Sequence, residues 1–507
     1  METIVRIPDS VSVLDADQRP LKRADVRFGL EGGRLSVDLY SPDEKPGYVV
    51  LRWLMKTYEP VRILNDAWER SYGDLEWRAI RAERVLPWYF LVLALDSNTV
   101  TGYGVKTRPS ALIYFTMDNE GITMNADVRN GKRGVDLGDR VLHVADVVSK
   151  TYEGVEPFEA AERFCALMSP DPILPDRPVY GGNNWYYAYG ESSFKDIVSD
   201  TKLQARLSKG LKNRPFMTVD DGWTPKRCIG PWVPNKAFGD MKALADAIRE
   251  YDVRPGLWVR FTNDRDERYS PKTRFKGTNQ LDPSHPQVLE GVREITHRIV
   301  DDWGYELIKH DFTTYDIFDS WGDLMKRDMF GPAEFVFHDG TKTTAEIVLQ
   351  LYKTILESTG GKAYIIGCNT IGHLCAGLAH LMRIGQDTSG REWEPTRENG
   401  INTLAFRLPQ NRHFYMADAD CVGIKKDAGV DWELTYAWAT LVARSGTPMF
   451  ISCADGTMND RQEAQMAELY RYASLQEDKA VPLDWLTNST PAQWSINGQT
   501  FKFNWYR

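Results

Sequence analysis

The sequence predicts a multidomain chain: an N-terminal antiparallel β-sandwich, then a (β/α)8 TIM barrel, then a short C-terminal β segment. Three observations lead there. Short runs of alternating apolar and polar residues fill the front of the chain, eight candidate strands alternate with helical patterns behind it, and a proline-rich stretch lies between them.

Over residues 4–142 the runs RLSVDLYS, YVVLRWLM, WYFLVLAL, ALIYFTM and ITMNADV are broken by Gly, Pro, Asn and Asp. In the first of them Leu35, Val37 and Leu39 fall on every second position, so they share one face of a strand. This assigns residues 1–150 to a sandwich. Residues 156–168 read as a connecting helix, and SPDPILPDRP, with four prolines, reads as an extended linker, so 151–178 joins the two parts.

After that the pattern changes. Candidate strands are VYGGNNW (179–185), PFMTVDD (215–221), GLWVRF (256–261), YELIKHD (305–311), AYIIGC (363–368), HLMRIG (380–385), HFYMAD (413–418) and TPMFIS (447–452). Between them, Met241, Leu244, Ala245 and Ile248 mark one face of a helix over 240–251. Val288, Val292, Ile295 and Ile299 do the same over 287–303, with Ser284 and Gln287 spaced as a capping box. Residues 179–475 are thus read as a (β/α)8 catalytic barrel and 476–507 as a β extension of a strand or two.

Composition removes several function classes. The 507 residues hold 62 Lys and Arg against 71 Asp and Glu, a net charge of −9, which disfavours nucleic acid and anionic membranes as partners. The longest apolar run, 85–95, contains Pro87 and is far short of the roughly 20 residues a membrane helix needs. Six cysteines without a CxxC pair, and eight histidines without an HExxH spacing, predict free thiols, no metal and no cofactor. METIVRIPDS has no basic segment followed by an apolar one, leaving the cytoplasm or export with a signal already removed. Oligomeric state stays open, a homo-oligomer included.

The chemistry of such a barrel sits at the C-terminal ends of its strands. There the sequence offers Trp185, Asp220, Asp221, Arg260, Lys309, Asp311, Cys368, Arg383, Asp387 and Asp418. Carboxylates without a histidine cluster point to glycoside chemistry, where one acid attacks or activates water and another protonates the leaving oxygen. Lys309 and Asp311 share a strand face, so the cation lies below the carboxylate; a barrel-lining ion pair has the same pattern. In VDDGW, Asp220 and Asp221 offer acceptors for sugar hydroxyls and Trp223 a flat apolar surface; a capped turn with a packed Trp also fits. Taken alone, Arg383 with Asp387 reads as a surface ion pair, Cys368 and Trp185 as core, and Asp418 with Asp420 as a loop cap ahead of a cation site.

Together, VDDGW, GLWVRF, LDPSHPQVLEGVREITHRIVDDWGYELIKHD and MRIGQD resemble, in order, the barrel of retaining α-galactosidases of glycoside hydrolase families 27 and 36, clan D. The β-rich front resembles that of family 36. The resemblance implies that Asp311 is the nucleophile and Asp387 the general acid/base. It implies that Lys309, Asp220 and Asp221 bind hydroxyls around an axial 4-OH and the 6-OH, that Arg383 lies near the 2-OH, and that Trp185 and Cys368 line the sugar pocket. Two departures stand out: His310 where family 36 has an aromatic, and CNTIGHLCAG in place of a glycine-rich run. The implied activity is a retaining exo-α-glycosidase acting on an oligosaccharide or glycoside, an α-galactosidase first. A raffinose-synthase-type transglycosylase, an enzyme for another sugar (α-N-acetylgalactosaminide, β-L-arabinopyranoside or α-glucoside) and a non-catalytic sugar-binding relative are the alternatives.

Overall fold

A computed structural model of the chain describes residues 2–331, 335–426 and 429–506. The front holds two antiparallel sheets. One runs Ser10–Leu14, Tyr48–Leu54, Gly121–Asp127, Leu112–Asp118 and Leu86–Pro87; the other runs Asp25–Glu31, Arg34–Tyr40, Leu142–Tyr152, Thr99–Val105, Tyr89–Ala94 and Val61–Asn65. Leu35, Val37 and Leu39 are fully buried while their neighbours are not, which is the burial that their alternation encodes. Tyr89–Ala94 is buried on both faces and so reads as an unbroken apolar run. Pro87 closes the edge strand of its sheet, where a missing N–H costs least. Helix Pro157–Met168 lays Phe164 on Gly102, whose absent side chain makes the room: a Cβ there would sit 2.4 Å from the ring.

Behind the front lies a parallel sheet of nine strands. Its order is Met416–Asp418, Leu381–Arg383, Tyr364–Gly367, Leu307–His310, Arg254–Val259, Phe216–Val219, Tyr180–Asn183, Met449–Ser452 and Cys421–Gly423. All eight expected segments supply a strand. The ninth, Cys421–Gly423, was not expected: the chain breaks at residues 419–420, where Asp420 takes φ 72°, and then pairs with Met449–Ser452. The first and last strands of the order are therefore consecutive in the chain, and the sheet is barrel-like.

Two local expectations need correction. Trp185 does not end the first strand but opens a one-turn helix, Trp185–Ala188. Ser284 and Gln287 form no capping box. His285 Nδ1 accepts the Gln287 N–H at 3.2 Å, while Ser284 Oγ donates to Asp282, because Pro286 fixes the first helical position of Pro286–His297 and moves the cap one residue on. Helix Met241–Arg249 buries the four predicted residues, with Asp240 accepting from the Lys242 and Ala243 N–H groups. At the C-terminus, Ala480–Pro482, Gln493–Ile496 and Gln499–Lys502 form a three-stranded antiparallel sheet, one strand more than expected.

The segment after Val61–Asn65 joins the front to the parallel sheet. Ser71 N–H donates to Ile384 O at 2.8 Å, and Gln386 N–H donates back to Ser71 O at 3.0 Å. Arg407, wholly buried, pairs with Asp66 at 3.0 Å and donates to the carbonyls of Glu69 and Ile384.

Candidate active site

A cavity of about 210 Å³ opens at the C-terminal ends of the parallel strands. Eight of the eleven residues selected from the sequence line it: Trp185, Asp220, Asp221, Lys309, Asp311, Cys368, Arg383 and Asp387. Trp223, Arg260 and Asp418 do not. Trp223 is fully buried, with its Nε1–H on the Trp258 carbonyl at 2.9 Å and its ring against Trp232 and Trp303, so it offers no surface to a sugar. Arg260 turns away into Asp316, at 2.5 and 3.0 Å, and stacks on Phe312 at 4.2 Å, so it supports the pocket wall rather than lining it.

Asp311 follows the strand Leu307–His310 and is 8% exposed. Three N–H groups hold its carboxylate: Phe312 N and Asn369 Nδ2 on Oδ1, at 2.6 and 2.5 Å, and Trp258 Nε1 on Oδ2 at 3.0 Å. The expected cation is not among them. Lys309 gives its ammonium to Asp220 Oδ2 at 2.8 Å, reaching past the intervening strand Arg254–Val259 to the end of Phe216–Val219. Burial works against a charged Lys309, but Asp220, Cys368 and Asp311 outweigh it and hold the group well above its usual value. His310 alternates to the far side, packs against Phe261 and Tyr352, and is pushed down to about 3 by burial, so it stays neutral and outside the site.

Asp220 also accepts from Asn183 Nδ2 at 2.7 Å. Asp221 is held by one residue twice, accepting from Cys228 N–H at 2.9 Å and Cys228 Sγ–H at 3.0 Å, and burial raises its carboxyl above the usual range. Cys368 is buried at the wall, and burial lifts its thiol well above the usual value.

Asp387 stands at the mouth, with 49% of its side chain exposed. Its Oδ1 accepts from Arg383 Nη2 at 2.9 Å and from Arg70 Nη1 at 3.2 Å. Burial of the carboxyl pushes upward, and the two guanidinium groups overcome it, so the group sits below the usual carboxylate range. Arg383 is oriented in turn by Asp420 at 2.9 Å; Asp420 also accepts from Tyr186 and Thr388. Asp420 therefore orients an arginine and also caps a loop through the Thr388 N–H, while Asp418 accepts the Asp420 N–H at 3.0 Å. Asp418, behind it, is pushed up to about 6 by burial.

Sequence reasoning missed Arg70, Cys228, Trp258, Asn369 and Trp321, all on the cavity wall. Two carried a signal. Trp258 sits opposite Lys309 in register, inside a strand already identified, and Asn369 directly follows Cys368. Arg70 and Trp321 lie in loops with no periodicity, and only the tertiary structure brings them in.

No family model matches this chain, and no curated protein matches it in sequence. Solved structures match it in shape. The α-galactosidase of Thermus thermophilus, in complex with p-nitrophenyl α-D-galactopyranoside, is 15% identical, covers 97% of this chain and 99% of its own, and gives a TM-score of 0.60. The family 36 α-galactosidase AgaA of Geobacillus stearothermophilus is 14% identical over 93% of this chain and 71% of its own, with a TM-score of 0.63. The α-galactosidase from Lactobacillus brevis is 12% identical over 96% and 74%, with a TM-score of 0.62. At these identities the likeness is one of fold: the chain has the fold of the family 36 α-galactosidases.

Proposed function

We propose that the chain is a retaining exo-α-glycosidase, an α-galactosidase in the first instance, working by double displacement with Asp311 as nucleophile and Asp387 as general acid/base. One observation carries the reading: of the four carboxylates in a single pocket, two are held in opposite ways. Asp311 is deep and fixed by three N–H donors, while Asp387 is at the mouth and anchored by two arginines. A nucleophile must be rigid and below the sugar; an acid must meet the departing oxygen on the way out. At about 210 Å³ the cavity is smaller than the roughly 300 Å³ at which drug-sized sites begin, which suits one terminal sugar unit.

In the first step Asp387, active in its protonated form although the two arginines favour the charged one, gives its proton to the glycosidic oxygen as a carboxylate oxygen of Asp311 bonds to the anomeric carbon and the leaving group departs. In the second, Asp387 takes a proton from water, whose oxygen displaces Asp311 and restores the starting configuration. Asp220, Asp221 and Lys309 form the polar cluster that reads hydroxyls, and a wrong epimer leaves them unpaired, which favours α-galactosides over α-glucosides. The same reading takes the two front sheets as a β-sandwich over 1–150. It takes 179–475 as a (β/α)8 barrel whose seventh position is shared by Met416–Asp418 and Cys421–Gly423.

The test is Asp311→Asn with a panel of aryl glycosides and an NMR assignment of the first-formed anomer. The wild type should release the α-anomer of galactose fastest, and the variant should lose roughly 10³-fold or more in kcat while remaining folded. Release of the β-anomer, or near-normal turnover by Asp311→Asn, removes the retaining assignment. A faster rate on the α-glucoside removes the sugar assignment alone.

A further inference from the structure

The carboxylate read here as the acid/base is served by a side chain from the front of the chain. Arg70 lies 317 residues before Asp387 and donates Nη1–H to its Oδ1. Arg383 donates to the same oxygen, and Asp387 Oδ2 accepts no hydrogen bond from any described residue. The grip is one-sided, and it is built. Ser71, next in the chain, is hydrogen-bonded in both directions to the Ile384 and Gln386 backbone immediately before Asp387. The Arg70 guanidinium lies 5.5 Å from the ring centres of both Trp321 and Tyr72, and the side chain is only 11% exposed. Tyr72 is held in turn through its hydroxyl on Glu69 at 2.6 Å. An arginine packed between two rings and fixed by its neighbour's backbone is not a surface residue caught in one rotamer.

We propose that Arg70 is a positioning residue for the acid/base: with Arg383 it fixes Asp387 Oδ1, and so assigns Oδ2 as the oxygen that gives and takes the proton. The inference rests on the reading of Asp387 in the previous section. Two guanidinium groups on one oxygen favour the charged carboxylate and direct protonation to the free oxygen. The charged and titratable groups around Asp387 are Arg70 from the front, Arg383 at the end of the strand before it, Lys309 on the strand before Asp311, Tyr186 after the first strand, and Asp420, which reaches it through Arg383. Among these, Arg70 alone comes from outside the parallel sheet and its loops, although it too stands on the cavity wall.

Arg70→Met keeps the aliphatic stem against Trp321 and Tyr72 and removes the charge; Arg70→Lys keeps the charge and loses the fork. In the full-length protein, kcat/KM is followed against pH for an alkyl α-glycoside, whose leaving oxygen needs a proton, and for its 4-nitrophenyl counterpart. For the alkyl substrate, Arg70→Met should move the basic limb upward by roughly one pH unit, and Arg70→Lys should keep it within about 0.3. Millimolar guanidinium ion should return the Arg70→Met limb toward the wild-type position. If Arg70→Met does not accumulate folded, Arg70→Gln is read in its place against the same lysine control. An unmoved limb in the neutral variant, with Asp387→Ala still selective against poor leaving groups, overturns the role of Arg70 alone. Loss of poor and activated substrates alike in Asp387→Ala overturns the acid/base reading, and Arg70 with it.

Discussion

A general acid earns its identity by the leaving groups that depend on it. Under the proposed mechanism, Asp387→Ala should cost alkyl α-glycosides about 10²-fold or more, and a nitrophenyl glycoside, which departs unprotonated, less than about tenfold. Rate measurements on both substrates, with the variant's fold checked by circular dichroism, decide it; equal losses remove Asp387 from the role. What the sequence revealed at this scale was strand-borne. Lys309 and Asp311 were legible because side chains alternate, and Asp220, Asp221, Arg383 and Asp387 because they follow strand ends. Trp223 misled for a physical reason: four tryptophans, at 223, 232, 258 and 303, pack in one cluster, and the one whose Nε1–H reaches Asp311 is Trp258. Both give their indole N–H to a buried acceptor, and a sequence does not say which acceptor is the carboxylate. Arg70 was invisible in WERSYGD because its partner lies 317 residues away.

Elements follow more directly from sequence than sites do, and their ends follow least. The helix Met241–Arg249 has its predicted apolar face buried, and Asp240 satisfies two of its free N–H groups. Asp240→Ala should therefore cost about 1 kcal/mol, read as a shift in a urea unfolding midpoint at unchanged slope. A midpoint equal to wild type would mean that water caps the helix as well as the carboxylate does. Beside it, the helix Pro286–His297 shows why caps mislead: the S-x-x-Q spacing is present, but Pro286 sets where the helix begins and His285 becomes the cap. The seventh strand broke at residues 419–420 because both halves are short and Asp420 is turned inward by Tyr186, Thr388 and Arg383. MADADCVG has no glycine or proline at the break, so periodicity alone gave one strand and a loop.

At the scale of the molecule, the front sheets and the parallel sheet meet over charge as well as apolar surface. Asp66 and Arg407 are both buried, and burial lifts the Asp66 carboxyl above its usual range even with the guanidinium beside it. Arg407 also donates to the carbonyls of Glu69 and Ile384, one on each side of the seam, and those residues flank Arg70 and lead to Asp387. The front is therefore part of the site's support. Replacing Arg407 by Met should destabilise by roughly 3 to 5 kcal/mol, because it leaves Asp66 buried without a counter-charge. The double variant Asp66→Asn, Arg407→Met should recover part of that loss, since the uncompensated charge goes with the carboxylate. Urea unfolding followed by tryptophan fluorescence and by far-UV circular dichroism measures both. If the single variant matches wild type, or if the double variant is no more stable than the single one, the buried pair is not what holds the seam. If it behaves as expected, the alkyl-glycoside rate of the single variant should fall further than its nitrophenyl rate, because a loosened seam reaches the chemistry through Arg70.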